Sequence, residues 1–295
     1  MSSLCALLGY SRQAIHKYKK NAIVNDFEAE LIIQQVLKHR KLQPRLGTRK
    51  LLVLLKEFIK SHSLKVGRDG LFTLLREHEL LIRKRRRKVQ TTFSKHWLKK
   101  YPNLTSGLVI NRPNALWVSD ITYIETANEY SYLSLVTDAY SRRIMGFALS
   151  KTLEATGCIG ALKMALQNRA GAQDLIHHSD RGVQYCCKDY VNMLAANQIK
   201  ISMTENGDPL ENAVAERING ILKDELLRDG YPCFEVAQKE VAKAISIYNS
   251  LRPHSSCDML TPDIAHQKQG YLKRHWKNYI TKRELLQQKP VRKDM

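Results

Sequence analysis

Residues 116–124 read Leu116-Trp117-Val118-Ser119-Asp120-Ile121-Thr122-Tyr123-Ile124, and at this stretch the hydrophobic pattern of the chain changes from a helical period to an alternating one. Its β-branched and aromatic side chains suit a strand. Tyr130 to Val136 and Ile144 to Leu149 have the same character. Three adjacent strands are expected, with Asn128-Glu129 at the first turn and Asp138-Ala139-Tyr140-Ser141-Arg142 at the second. Further on the pattern predicts a helix from Leu153 to Asn168, a short strand from Leu175 to His177 and a helix from Lys188 to Asn197. A strand from Ile199 to Met203 and a long helix from about Glu211 to Leu227 complete it. A meander followed by alternating helices and strands is an α/β layer around a mixed sheet.

Toward the N-terminus the period is helical. Leu4, Leu7 and Leu8, then Gly9-Tyr10-Ser11, then Arg12 to Tyr18 read as a short helix, a glycine turn with Ser11 as N-cap, and a second basic helix. That is the shape of a helix-turn-helix, which would offer Arg12, Gln13, His16 and Lys17 to a DNA groove while Ile15 packs inward. Phe27, Leu31 and Val36, then Leu51, Leu55, Phe58 and Ile59, then Leu71, Leu74 and Leu75 recur at helical spacing and are read mostly as core. Val66-Gly67-Arg68-Asp69-Gly70 precedes a further helix, either groove-entering or simply packed.

The chain has 295 residues and carries 48 Lys and Arg against 28 Asp and Glu, a net charge of +20. Such a surface calls for a polyanion, and nucleic acid is the leading partner. The charge is concentrated: residues 1–100 hold 24 Lys and Arg against 7 acids, a balance of +17. The densest run, Arg83-Lys84-Arg85-Arg86-Arg87-Lys88, breaks the apolar period and leads into the polar Gln90-Thr91-Thr92, as a phosphate-contacting linker would. No apolar run approaches the roughly 18 residues of a membrane span, and the first residues do not read as a signal peptide, so a cytoplasmic, nucleoid-associated protein is expected. The six cysteines, with Cys186 and Cys187 adjacent, lack paired metal-ligand spacing and are expected as packed thiols rather than zinc ligands.

Ile176 to Tyr185, IHHSDRGVQY, crowds two histidines, a carboxylate and an arginine together. Asp180 falls just past the carboxyl end of a short strand, where open α/β sheets place their chemistry. Asp120 lies in the first strand and Glu216 one turn into the last helix. The intervening gaps are 59 and 35 residues. Carboxylates converging from separate elements repel unless cations lie between them, and an oxygen-only donor set suits Mg²⁺. The residues therefore make a two-metal candidate. Asn212, Glu216, Asn219 and Lys223 form one polar stripe on the last helix, opposite Val214, Ile218, Ile221 and Leu222. Such a stripe, standing alone, would be solvent-facing.

The segments WVSDITYIE, YLSLVTDAYSRRIMGFALS, IHHSDRGVQY, ISMTENGDPLENAVAERINGILKDEL and YNSLRPHSSCDMLTPDIA resemble, in the same order, the integrase core of bacterial insertion-sequence transposases, specifically the insertion-sequence-3 family, second reading frame. The resemblance spans roughly residues 100–265. The region LGTRKLL…GRDGLFTLLREHELLIRKRRR looks like that family's DNA-binding segment. The resemblance implies an RNase H-like core with a mixed sheet, preceded by a helical, helix-turn-helix-type DNA-binding region. It implies a D, D, 35-residue gap, E triad at Asp120, Asp180 and Glu216, holding Mg²⁺ or Mn²⁺, with Lys223 seven positions on. One metal ion would activate a water or a 3′ hydroxyl while the other stabilises the leaving oxygen. Lys223 would lie near the DNA backbone, and Arg181 would hold phosphate or make a structural salt bridge. Terminal inverted repeats and target DNA would be the partners, the active complex a homo-oligomer, with an upstream-frame partner or fusion also in view. The organisation expected is a helical DNA-binding region over 1–88, a linker over 89–112, the catalytic core over 113–270 and a basic tail over 271–295.

Some positions depart from the family's usual run. Glu211-Asn212-Ala213 stands where Asp-Asn-Ala is common, and Arg217 and Ile218 where a small residue and an aromatic are common. Competing readings are a retroviral-type integrase or related nuclease, a non-catalytic DNA-binding regulator, and a serine hydrolase built on His178 and Ser179. The first should show paired His and Cys near its start, the second has no use for spaced carboxylates, and the third lacks a glycine-flanked elbow. At most one of His177 and His178 can face the metals, and neither is needed as a ligand. Asp138, in a turn before Ser141-Arg142, is expected to be structural.

Overall fold

The computed structural model describes residues 11–82, 97–127, 129–169, 174–205 and 212–275. Five strands form one mixed sheet: β1 (Leu116–Glu125), β2 (Tyr130–Asp138), β3 (Ile144–Ser150), β4 (Ile176–Ser179) and β5 (Lys200–Met203), in the order β3-β2-β1-β4-β5. The first three make an antiparallel meander, with Asp120 opposite Leu135. β4 and β5 add in parallel, Ser119 pairing with Ser179 and Ser179 with Met203. This is the RNase H-like arrangement. It places the shared edge of β1 and β4 at the centre of the sheet.

Alternation along the strands supplies two cores. On one face Trp117, Val136, Met145, Leu175 and Met203 pack against α4 (Ala155–Gln167) and α6 (Lys188–Ala196), through Leu162, Ala165, Tyr190 and Leu194. A single turn, α5 (Val183–Cys186), precedes α6. On the other face Ile124, Leu133, Leu135 and Ile144 pack against α7 (Ala213–Ile221) and α8 (Phe234–Leu251), through Ile218, Ile221, Val241 and Tyr248. The last helical turn, α9 (Pro262–Ala265), begins with Thr261 as N-cap and Pro262 in its first turn. Gly157, Ala161 and Ala165 keep one face of α4 narrow. Gly146 of β3 lies directly under it, where an added Cβ would meet the Ala161 carbonyl oxygen and come within 2.6 Å of the Ala165 nitrogen.

The N-terminal region has its own core of Ile32, Ile33, Val36, Leu46, Leu51, Leu55, Leu64, Leu71 and Leu75. Three helices build it: α1 (Arg12–Leu42), α2 (Thr48–Ser61) and α3 (Arg68–Glu77). The short basic helix expected after Gly9 is in fact the start of the 31-residue α1, which contains no proline or glycine to end it. Ser11 is its N-cap, accepting from the Ala14 backbone N–H at 3.0 Å. The helix expected over Leu4 to Leu8 lies outside the described residues. Phe27, expected in the core, is 65% exposed; among the described side chains of α1 the buried hydrophobic ones are Ile32, Ile33 and Val36. Short connections join both pairs, Gln43 to Gly47 between α1 and α2 and His62 to Gly67 between α2 and α3.

Elsewhere the strands and helices fall within a few residues of expectation, with two differences. The last helix of the triad does not run regularly to Leu227: after Ile221 it widens into a π-helical turn, Leu222–Leu226, closed by the Leu227 N–H donating to the Leu222 carbonyl at 2.8 Å. The 18-residue α8 lies beyond the helices expected from the pattern, although Ala237, Val241, Ala244, Ile245 and Tyr248 recur at helical spacing and are its buried face.

Candidate active site

The parallel register that pairs Ser119 with Ser179 brings the next residues together, Asp120 on β1 and Asp180 just past the end of β4. Asp120 projects from the face of the sheet that α7 covers. Its carboxylate accepts from the Ile121 N–H at 2.9 Å and from Asn219 Nδ2 at 2.8 Å. Burial, and then the charge of Asp180, push its pKa up to about 7, and Glu216 adds a smaller push in the same direction. Asp180 leaves β4 into a tight turn, its Oδ1 accepting from the Gly182 N–H at 3.0 Å. A Cβ at Gly182 would stand 3.0 Å from that oxygen, so the glycine lets the loop close on the carboxylate.

Helix α7 lies across β1, fixed at two points. Asn212 Nδ2 donates to the Ser119 carbonyl at 3.1 Å, and Asn219 Nδ2 to Asp120 Oδ2. Glu216 is four residues after the first and three before the second, so helical geometry turns it to the same side. It is exposed there, while Asn212 and Asn219 are buried. The stripe therefore lies over β1 beside Asp120, with its asparagines buried and Glu216 open to solvent, and Asn219 is a site residue that spacing alone flagged only as polar. Lys223, on the π-turn, is half-buried and feels the negative charge of Asp120, although burial still draws its pKa down. Arg181 follows Asp180 and is partly buried.

Both histidines of the Ile176 to Tyr185 stretch are core residues. His177 Nε2 bonds Ser119 Oγ at 2.7 Å and the Tyr190 hydroxyl at 2.9 Å, and burial drives its pKa down to about 3. His178 Nδ1 bonds Ser202 Oγ at 2.8 Å. Ser179 is buried and donates to the Asp180 carbonyl at 3.0 Å, which removes the serine-hydrolase reading. Asp138 is fully buried and accepts from the Asn114 N–H at 2.7 Å, the Ser141 N–H at 2.8 Å and Ser141 Oγ at 2.7 Å. It ties the β2–β3 turn to the start of β1. Asp138→Asn places an amide against these donors and is expected to cost about 1–3 kcal/mol in chemical denaturation. DNA cleavage at matched folded fraction should be unchanged.

Of the expected DNA contacts, Gln13 and Lys17 are exposed on α1. At about 1.5 Å rise per residue they stand roughly 28 Å and 22 Å along the helix from the buried Ile32. Arg12 opens the same helix. Arg83, Lys84, Arg85, Arg86, Arg87 and Lys88 lie outside the described residues.

Among the described residues no three His, Cys, Asp or Glu side chains are gathered into a closed metal-ligand set. The donors at hand are nonetheless oxygens only. Burial and, after it, the charge of Asp180 raise the Asp120 pKa, which is the electrostatic setting a hard divalent cation relieves.

A mixed sheet in this strand order, with one carboxylate on its central strand, one just past the end of the neighbouring parallel strand and a third on the covering helix, defines an RNase H-like integrase core. Two family models, both described as integrase core domain, match residues 110–209 and 197–262. The Shigella sonnei "Insertion element IS600 uncharacterized 31 kDa protein" is 32% identical over 272 residues, covering 90% of this chain and 98% of that one. The Mycobacterium tuberculosis "Putative transposase for insertion sequence element IS986/IS6110" is 36% identical over 157 residues, 51% of this chain and 56% of that one. Among solved structures, the HTLV-2 integrase catalytic core domain in complex with magnesium matches at 19% identity and a TM-score of 0.42, over 52% of this chain and 97% of that one. The chain belongs to the insertion-sequence-3 family of transposases, DDE-type enzymes of DNA phosphoryl transfer.

Proposed function

We propose that this transposase cuts and joins DNA at the terminal inverted repeats of its insertion sequence, using Mg²⁺ held by Asp120, Asp180 and Glu216. The observation that carries the assignment is the juxtaposition of Asp120 on β1 with Asp180 just past the end of the parallel β4, with α7 fixed over β1 by Asn212 and Asn219. Bound there, divalent cations supply Lewis acidity and an activated oxygen nucleophile for in-line displacement at a phosphate. Asp120 and Asp180 provide the fixed side of the site. Glu216 closes it from the helix. Asn219 holds the Asp120 carboxylate in one orientation, and Gly182 does the same for Asp180. Lys223 places a cation beside the carboxylates for the DNA backbone, and Arg181 adds phosphate contact next to Asp180. Mg²⁺-dependent nicking of a labelled insertion-sequence end tests this reading, and a failure to nick with Mg²⁺ or Mn²⁺ overturns it.

In the same reading residues 1–88 bind DNA, 89–112 link, 113–270 catalyse and 271–295 add a basic tail, with a homo-oligomer bringing two ends together. No helix among the described residues is long and apolar enough to cross a membrane. Arg12, Gln13 and Lys17 on α1 are offered to a DNA groove, and the run Arg83 to Lys88 supplies phosphate contacts. Neutralising that run is expected to weaken end binding and flatten its salt dependence, each lost contact taking about 0.9 from the slope of log K against log salt. An unchanged slope across a salt titration would remove the run from the interface.

A further inference from the structure

The π-turn that carries Lys223 is held from the N-terminal region. A helix end leaves carbonyls without intrahelical donors, and a π-turn presents them at an unusual angle. Here the Asp224 carbonyl accepts from Arg45 Nε at 2.9 Å, and the Glu225 carbonyl from the Arg45 backbone N–H at 3.3 Å. The Glu225 side chain, mostly buried, accepts from Lys50 Nζ at 2.9 Å and from Arg252 through Nε and Nη2, both at 2.8 Å. Arg252, just past the end of α8, is itself 1% exposed. Lys50 lies in the first turn of α2. The turn between α1 and α2 thus caps the catalytic helix, although both of its cations belong to the region expected to bind DNA.

Arg252 and Lys50 hold the Glu225 carboxyl below its ordinary range in spite of burial, so the ion cluster stays charged. Lys50 is drawn down to about 8, mainly by burial. Two residues before Glu225, Lys223 is near enough to Asp120 to feel its negative charge. A turn with six rather than five residues per closure sets the direction of Lys223 by where its C-terminal end is anchored. That end is anchored by Arg45 and by the cluster of Lys50, Glu225 and Arg252.

We propose that Lys50 and Glu225 are positioning residues for Lys223, through which the N-terminal region sets the geometry of the catalytic site rather than only delivering DNA to it. The inference rests on the assignment of Lys223 to the DNA backbone made above. It identifies Lys50 as a residue of the catalytic architecture and not of the DNA interface.

Glu225→Gln leaves buried Arg252 without its counter-charge and is at risk of unfolding, so the informative change is Lys50→Met in the full chain, with Lys50→Arg as the conservative variant. The readouts are end binding, the strand-transfer rate at saturating DNA, and the same rate in Lys223→Ala and in the Lys50→Met, Lys223→Ala double variant. Lys50→Met is expected to keep end affinity and its salt slope while slowing strand transfer roughly tenfold, the effect of removing an outer partner of a site. Lys50→Arg should recover most of the rate. The double variant should be no slower than Lys223→Ala. Weakened end binding with an unchanged saturated rate in Lys50→Met would make Lys50 a DNA contact and overturn the proposal. Losses that multiply in the double variant would overturn it too, while leaving the role of Lys223 in place. Full-rate transfer by Lys223→Ala alone would instead remove that role, and the proposal with it.

Discussion

Asp120→Asn, Asp180→Asn and Glu216→Gln are each expected to abolish strand cleavage and joining while leaving binding to insertion-sequence ends intact. An amide is a poor ligand for a hard divalent cation, and losing metal stabilisation of the transferred phosphate costs several kcal/mol, about a thousandfold in rate or more. Binding survives because its electrostatic source is the basic N-terminal third, where the balance is +17 over 100 residues. Full activity in any one folded variant would refute the assignment. Asp120 supplies an independent readout. Its folded pKa is about 7, above the ordinary 3.8, so its ionisation opposes folding, a penalty that grows as pH rises from about 4 to 7 and stays thereafter. With divalent metal chelated, Asp120→Asn should therefore melt higher than the parent protein at pH 8, and the gain should fade toward pH 4. A lower melting temperature at pH 8 would mean that Asp120 is held by favourable contacts rather than by metal-dependent relief of its charge.

The second large effect is structural. Gly146→Ala is expected to destabilise the core by about 3 kcal/mol or more, at or beyond the upper end of ordinary overpacking. The atoms an added methyl would meet, the Ala161 carbonyl oxygen and the Ala165 nitrogen, belong to the backbone of α4 and cannot turn aside as a side chain would. The whole helix must lift from β2 and β3. For a domain of this size that corresponds to a fall of roughly 6–12 °C in melting temperature. Gly160→Ala, on the same helix, is the matched control: its Cβ meets only Ala148 Cβ at 3.4 Å, and it gains helix propensity of about 1 kcal/mol. Equal melting temperatures for the two variants would show that α4 does not seat on Gly146 as described.

Local chemistry made much of this protein legible in its sequence. The five strands announced themselves because alternation and β-branching are properties of neighbouring residues, and α4 and α6 because their buried faces recur at helical spacing. The candidate carboxylates were legible for a different reason: Asp120, Asp180 and Glu216 sit at fixed places relative to elements that were themselves legible. A helical wheel also put Asn219 on the same stripe as Glu216. It could not say that the asparagines of that stripe are buried, since that depends on β1 lying beneath them. The true length of α1 was present in the sequence as a run without breakers, but a glycine turn before a basic segment read more readily as a short helix pair.

What only the tertiary structure decided are contacts between residues distant along the chain. Whether His177 or His178 would face the metals depended on what lay under β4, and Ser119, Tyr190 and Ser202 take both into the core. Glu225 meets Lys50 from 175 residues away and Arg252 from 27 residues away, and no periodicity links those positions. The sequence determined which elements form and which side chains carry charge, because those follow from each residue and its near neighbours. The packing of the N-terminal turn against the end of the catalytic helix determined the partners of those charges, because a buried carboxylate is stable only where the fold delivers its cations.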